Sequence, residues 1–219
     1  VVESPLYRYA FETRGSGIVS AQLLRWESFT RNGPVDLVED TSGALLSYAV
    51  QAAGRRIPLE TLPFEVVPAG GLVLEPGSGP ETLTFRYRDP AGALVVELAY
   101  TFRPDDYAIG VSGEVRVAGD DAPYLLLELG PRLAVNEASA AEDLRALSYV
   151  VKSERAGIHS VSLNDVDAER VENGPLTWVA VRNKYFVAAA VAGTEEPFGG
   201  VIARPARADH AAELTTTLP

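Results

Sequence analysis

"ETLTFRYRDPAGALVVELAYTFRPDDYAIGVSGEVRVAG", residues 81–119, decides the fold class. Leu83, Phe85 and Tyr87 alternate with Thr82, Thr84 and Arg86, and Leu94, Val96, Leu98, Tyr100 and Phe102 stand opposite Glu97, Thr101 and Arg103. A period of two is the repeat of a strand with one buried face, whereas an amphipathic helix spaces its apolar positions three and four apart. Between the first two runs lies "DPAG", Asp89 to Gly92, with proline at the second turn position, where its fixed φ suits the bend. After "RPDD" the alternation resumes with Tyr107, Ile109, Val111, Val115 and Val117 against Ser112, Glu114 and Arg116. The stretch predicts three antiparallel strands joined by two turns.

The same grammar extends in both directions. "LYRYAFETRGSGIVSAQLLRWESF" reads as two strands around a glycine-rich turn, with Tyr7, Tyr9 and Phe11 before it and Ile18, Leu24 and Trp26 after it. Further strands fit 45–50, 64–67, 72–75, 124–129, 147–152 and 158–163. Only "SAAEDLRAL", residues 139–147, has a helix signature: a serine cap, alanines and early acidic residues. Many short strands, no linker-like composition shift and no internal repeat predict an all-β chain with little or no helix. The expectation is a large antiparallel sandwich forming one domain over residues 1–219.

Composition narrows the function classes. The chain of 219 residues is 47% hydrophobic, ample for a core, and its formal net charge is −11. That sign opposes any surface that holds phosphates by charge, so no nucleic-acid partner is expected. The alanine-rich run near residue 190 falls far short of the roughly 20 residues of a membrane span. There is no cysteine, which removes disulfides, thiolate catalysis and cysteine-based zinc sites. There is no methionine either, not even at position 1, as expected of a piece excised from a longer chain or of a chain whose start has been processed away.

Candidate chemistry is sparse. His159 and His210 lie far apart in sequence and read as surface or edge residues. "DVDAERVENG", from Asp165, imitates the start of a calcium loop but has Arg170 where the sharp turn needs glycine and Leu176 where the last ligand belongs. "RGSGI", residues 14–18, runs into a strand and not a helix, so it reads as a turn and not a phosphate cradle. The carboxylate pairs Asp105/Asp106, Asp120/Asp121 and Glu195/Glu196 sit in turn sequences. No catalytic, metal or cofactor set assembles, and no cofactor is expected.

The most unusual stretch is "WVAVRNKYFVAAAVAG", residues 178–193. Read as one strand, it puts Val179, Val181, Tyr185, Val187, Ala189 and Val191 on a core face interrupted by Asn183. Trp178, Arg182, Lys184 and Phe186 then share a partly wet face, where the two rings cover the basic stems. A bulge near Asn183 that swaps the faces is the alternative. Together with Trp26, the residues Trp178, Arg182, Lys184, Tyr185 and Phe186 form the candidate partner or groove surface.

Three features, in order, resemble the large periplasmic domain of the bacterial membrane protein insertase YidC. They are the Thr13–Gly17 turn, the hairpin carrying Tyr100, Phe102, Asp106, Tyr107 and Ile109, and the strand with Trp178–Ala180 and Lys184–Phe186. The resemblance spans residues 6–186 and implies a β-supersandwich on the periplasmic side of the inner membrane, between the first two transmembrane helices. It implies a non-enzymatic role in insertion, with nascent membrane proteins and accessory subunits of the Sec translocon as partners. The family's functional arginine lies in a transmembrane groove and maps to no residue here. Family members follow the sandwich with a helix, for which the closing "AELTTTLP" offers no counterpart. Supersandwiches also occur in carbohydrate-active domains, where a histidine would meet a carboxylate in a cleft, and a peptide or lipid groove is a further alternative.

Overall fold

The computed structural model describes residues 1–38, 43–119, 122–193, 196–206 and 210–217. The chain runs β1 (Val2–Glu3), β2 (Tyr7–Phe11), β3 (Ile18–Glu27), β4 (Pro34–Asp36), β5 (Leu46–Ala52), β6 (Arg55–Pro58), β7 (Glu65–Val67), β8 (Leu72–Val73) and β9 (Glu81–Arg88). It continues through β10 (Leu94–Arg103), β11 (Asp106–Val117), β12 (Tyr124–Leu129), helix α1 (Ala140–Ala146), β13 (Ser148–Ser153) and β14 (Gly157–Ser162). The last strands are β15 (Arg170–Arg182), β16 (Val187–Val191), β17 (Phe198–Pro205) and β18 (Ala212–Thr217). Among the described residues 57% are in strands and 5% in helices, so the fold is all-β, as the alternation demands.

Residues 81–119 form the predicted meander. Phe85 pairs with Leu98 and Leu83 with Tyr100, while Tyr100 faces Val111 on the other side. These strands belong to a four-stranded sheet in the order β11-β10-β9-β7. Its inner face packs on β2 and β5 of a much larger sheet. The Phe11 ring sits 5.5 Å from Phe85 and 4.9 Å from Tyr100, between centroids. Tyr100 donates its hydroxyl to the Ser16 carbonyl at 2.9 Å, and Tyr7 donates to the Arg103 carbonyl at 2.8 Å. Each fully buried ring contributes about 2–3 kcal/mol of apolar burial, and the two hydroxyl bonds fix the register between layers. At the Thr13–Gly17 turn, Gly15 has φ +77°, and a Cβ there would lie 2.6 Å from Glu60 Cα. Only glycine fits that crossing.

The larger sheet has the order β14-β13-β15-β17-β18-β12-β5-β3-β2-β1-β8, with β16 added to β15, β4 to β3 and β6 to β5. Its pairings are antiparallel except that of β1 with β8, which is parallel, so the sheet is mixed and not purely antiparallel as expected. The sheet also curls. Four strands separate β3 from β15, about 24 Å across a flat sheet. Yet Trp26 at the end of β3 touches Phe186, just beyond β15, with ring centroids 6.1 Å apart.

The stretch 178–193 departs from its reading as one strand. β15 ends at Arg182 and β16 starts at Val187, the two pairing back to back as a hairpin. Val179 and Val181 are buried as expected, but Tyr185, Val187 and Val191 are 61%, 59% and 71% exposed. The face does swap at Asn183, through a four-residue turn and not the bulge considered as the alternative. Asp120, Asp121 and Glu195 of the carboxylate pairs lie outside the described residues, while Asp106 caps its own turn by accepting from the Ala108 amide at 2.9 Å.

A candidate interaction surface

The β15–β16 turn is held from within and from below. Asn183 Oδ1 accepts from the amides of Tyr185 and Phe186 at 3.1 and 2.8 Å, and the Asn183 amide donates to the Phe186 carbonyl at 3.0 Å. An asparagine side chain that replaces backbone partners in this way is a turn former by mechanism. Asn183 itself is 2% exposed, and its Nδ2 donates to Asp143 Oδ2 and the Ala134 carbonyl, each at 3.4 Å. The Lys184 amide donates to the other Asp143 oxygen at 3.2 Å, so the turn is pinned to α1.

A second polar residue extends the anchorage to β3. Asn136 is fully buried and donates to the Asp36 carbonyl at 2.9 Å and to the Ala134 carbonyl at 3.2 Å. Its Oδ1 accepts from the Ser28 hydroxyl at 2.9 Å, and its carbonyl accepts from the Phe29 amide at 2.9 Å. Buried polar groups are tolerated because they are paired, and paired groups rigidify what they connect.

What this framework presents to solvent is aromatic. Trp26 and Tyr185 are 55% and 61% exposed, and Phe29, beyond the end of β3, is 72% exposed. Trp26 meets Phe186 edge to face, at 85°. Lys184 Nζ lies 5.1 Å from the Tyr185 ring centroid and donates to Glu142 Oε2 at 2.7 Å. That bond pushes Lys184 up to about 12 and holds the Glu142 carboxyl below its usual range.

Of the six residues read from the sequence, four converge here: Trp26, Lys184, Tyr185 and Phe186. The other two do not. Arg182 donates to Ser148 Oγ at 3.0 Å on the outer face of the sheet, and Trp178 stands on that face between Lys152 and Val191. The expected cover of the basic stems is therefore corrected: Lys184 is faced by Tyr185, and Phe186 by Trp26. Phe29 escaped notice; its signal was a large apolar side chain in the polar segment "ESFTRNG".

The remaining candidates stay apart. His159 Nε2 is 3.9 Å from Glu172 Oε1, which also accepts from the Tyr149 hydroxyl at 2.6 Å, but His159 is half exposed on a sheet face and lines neither of the described cavities. His210 lines a shallow cavity of about 360 Å³ with Leu163, Asn164, Val166, Pro205, Ala206 and Ala211, and no carboxylate among the described residues lines it. The calcium-like segment ends a 3-10 turn at Asp165 and becomes strand at Arg170. Among the described residues, no three histidine, aspartate or glutamate side chains gather as a metal site.

The family model of the YidC periplasmic domain matches residues 1–217. The chain belongs to that family. Membrane protein insertase YidC of Chlorobium luteolum is 31% identical over 212 residues, covering 87% of this chain and 33% of the relative. The YidC of Chlorobium phaeovibrioides is 30% identical with the same coverage, and that of Syntrophobacter fumaroxidans 24% identical over 87% of this chain and 35% of its own length. The chain thus spans about a third of the curated relatives it matches. As a YidC periplasmic domain it lies on the periplasmic side of the bacterial inner membrane, and among the described residues no helix is long and apolar enough to cross one.

Proposed function

We propose that residues 1–219 act as one non-catalytic interaction and scaffold unit of a YidC-type insertase. The corner formed by Trp26, Phe29, Tyr185 and Phe186 is its working face, turned toward emerging membrane-protein segments and accessory subunits of the Sec translocon. The observation that carries this reading is the pairing of exposed rings with a buried polar framework beneath them. Side chains that only filled a core would not stand in water, and rings on a loose loop would lose most of their contact energy in being ordered. Tryptophan and tyrosine offer a broad apolar body with a polar tip, suited to segments passing between water and lipid. The net charge of −11 keeps the domain off an anionic lipid surface, leaving the corner accessible.

The test is a photo-crosslinking residue placed at 26, 29 or 185 in the full-length protein during insertion of a membrane protein. The expected result is crosslinks to the client or to Sec accessory subunits from these positions. None is expected from Val73, which is 70% exposed on the edge strand at the far end of the sheet. Efficient incorporation at all three corner positions with no such partner would refute the assignment.

A further inference from the structure

Strand β16 has one partner strand, β15, among the described residues. The Asn183–Phe186 bond at one end and the bond from the Ala192 amide to the Thr177 carbonyl, 2.9 Å, at the other fix which rungs are hydrogen bonded. They are 181 with 188 and 179 with 190, because bonded and non-bonded pairs alternate along an antiparallel ladder. The amides and carbonyls of Val187, Ala189 and Val191 therefore point away from the sheet, and no described residue bonds to them. Edges are normally blunted by charge, proline or a bulge. β11 carries Asp106, Glu114 and Arg116, β6 carries Arg55 and Arg56, and β14 carries His159 and serines. β16 reads VAAAV, without a polar side chain, and its two valines are among the most exposed apolar residues of the fold.

The sequence of this edge also states what fits it. Val187-Ala188-Ala189-Ala190-Val191 is the same read in either direction about Ala189. We propose that β16 is a self-association edge, pairing antiparallel with β16 of a second copy about a two-fold axis at Ala189. This register sets Ala189 opposite Ala189 and Val187 opposite Val191 of the other copy. Each outward pair exchanges both of its backbone bonds. It also extends the outer-face row Ile158, Lys152, Trp178 and Val191, which is cross-strand contiguous, by one further valine. The isologous geometry closes at two copies. Lys184 precedes the strand and Glu196 follows it, so the antiparallel arrangement brings unlike ends together. A five-residue edge buries well under the roughly 1,200 Å² of a stable interface, so the pairing depends on tethering both copies to one membrane.

Because the chain lacks cysteine, a single introduced thiol reports the register. In the full-length membrane-bound protein, with any cysteine outside this chain replaced by serine, Ala189→Cys should give a disulfide-linked dimer on mild oxidation. Bonded pairs put the two Cα atoms about 5.5 Å apart, within disulfide reach. Val187→Cys and Val191→Cys should each fail alone and link when co-expressed, since equivalent residues then lie four positions out of register. Adding Ala189→Pro to that mixture removes a central outward amide without touching the bonds to β15, and should cut the product about tenfold. Crosslinking of Ala189→Cys no faster than Val73→Cys, linkage of Val187→Cys to itself, or products only with other proteins would overturn the proposal.

Discussion

Replacing Asn136 with alanine should be the most damaging polar substitution in the corner. The side chain is fully buried and makes three hydrogen bonds, to the Asp36 and Ala134 carbonyls and from the Ser28 hydroxyl. Three bonds at about 1 kcal/mol net each, with the added cost of a carbonyl left unpaired away from water, give a loss of about 3–4 kcal/mol. The Ala134 carbonyl keeps the long bond from Asn183, and Ser28 keeps Thr30, which holds the loss to that range. Against a total stability of about 5–15 kcal/mol, this is a large fraction. For a chain of this size it lowers the melting temperature by roughly 6–16 °C. Urea denaturation followed by the fluorescence of Trp26 and Trp178 measures it, with Ser28→Ala as the comparison, expected near 1 kcal/mol. A loss under about 1 kcal/mol for Asn136→Ala at unchanged m-value would refute the reasoning. The corner would then be held by something other than this residue.

Two further outcomes follow from the same kind of arithmetic. The buried Tyr48 hydroxyl makes no hydrogen bond of good geometry among the described residues and has only the Tyr100 hydroxyl as a polar neighbour, whereas the Tyr100 hydroxyl is bonded to the Ser16 carbonyl. Tyr48→Phe should leave stability unchanged or raise it by up to about 1 kcal/mol, and Tyr100→Phe should lower it by about 1–2 kcal/mol; equal effects in urea titrations would contradict the asymmetry. Glu142 titrates below the ordinary glutamate range because Lys184 donates to it. A lowered folded value means its contribution is present above the unfolded range, near 4.3, and is lost as pH falls through the lowered value. Lys184→Met should return Glu142 to the ordinary range in a carboxyl NMR titration, with little change in the urea midpoint because the pair is exposed. An unmoved titration would show that the bond is absent in solution.

The meander at 81–119 was legible because its two faces differ in chemistry and its turns carry proline and aspartate. Most strands outside it were legible for the same local reasons, and the helix at 140–146 from its alanines and early acidic residues, although the Ser139 side chain makes no capping bond. The hairpin at 178–193 was not, and the cause is parity. Residues directly opposite each other share a face, and Val181 opposite Ala188 places an odd position beside an even one. Valines and alanines continue on both sides of the turn, so the odd-numbered apolar alternation resumes beyond Asn183 as if the strand had not turned. The corner was half legible: its rings stand out as aromatics, but which of them meet depends on the curl of the sheet. Asp36, Asn136 and Asp143 carry no local sign of burial. Their partners are up to 108 residues away, as Ser28 is from Asn136.

The place of β18 in the sheet bears on the order in which the domain can be made. It lies between β17 and β12, paired to both, and Ala212 and Leu214 are buried. A chain emerging into the periplasm from its first residue can assemble β12, β5, β3, β2, β1 and β8 on one side and β14, β13, β15 and β17 on the other. The seam between the two sets closes only with the final strand. Translocation therefore delivers two incomplete half-sheets before it delivers a domain, each with an open inner edge waiting for the same six residues. Removing β18 would therefore part the sheet in the middle instead of fraying its end.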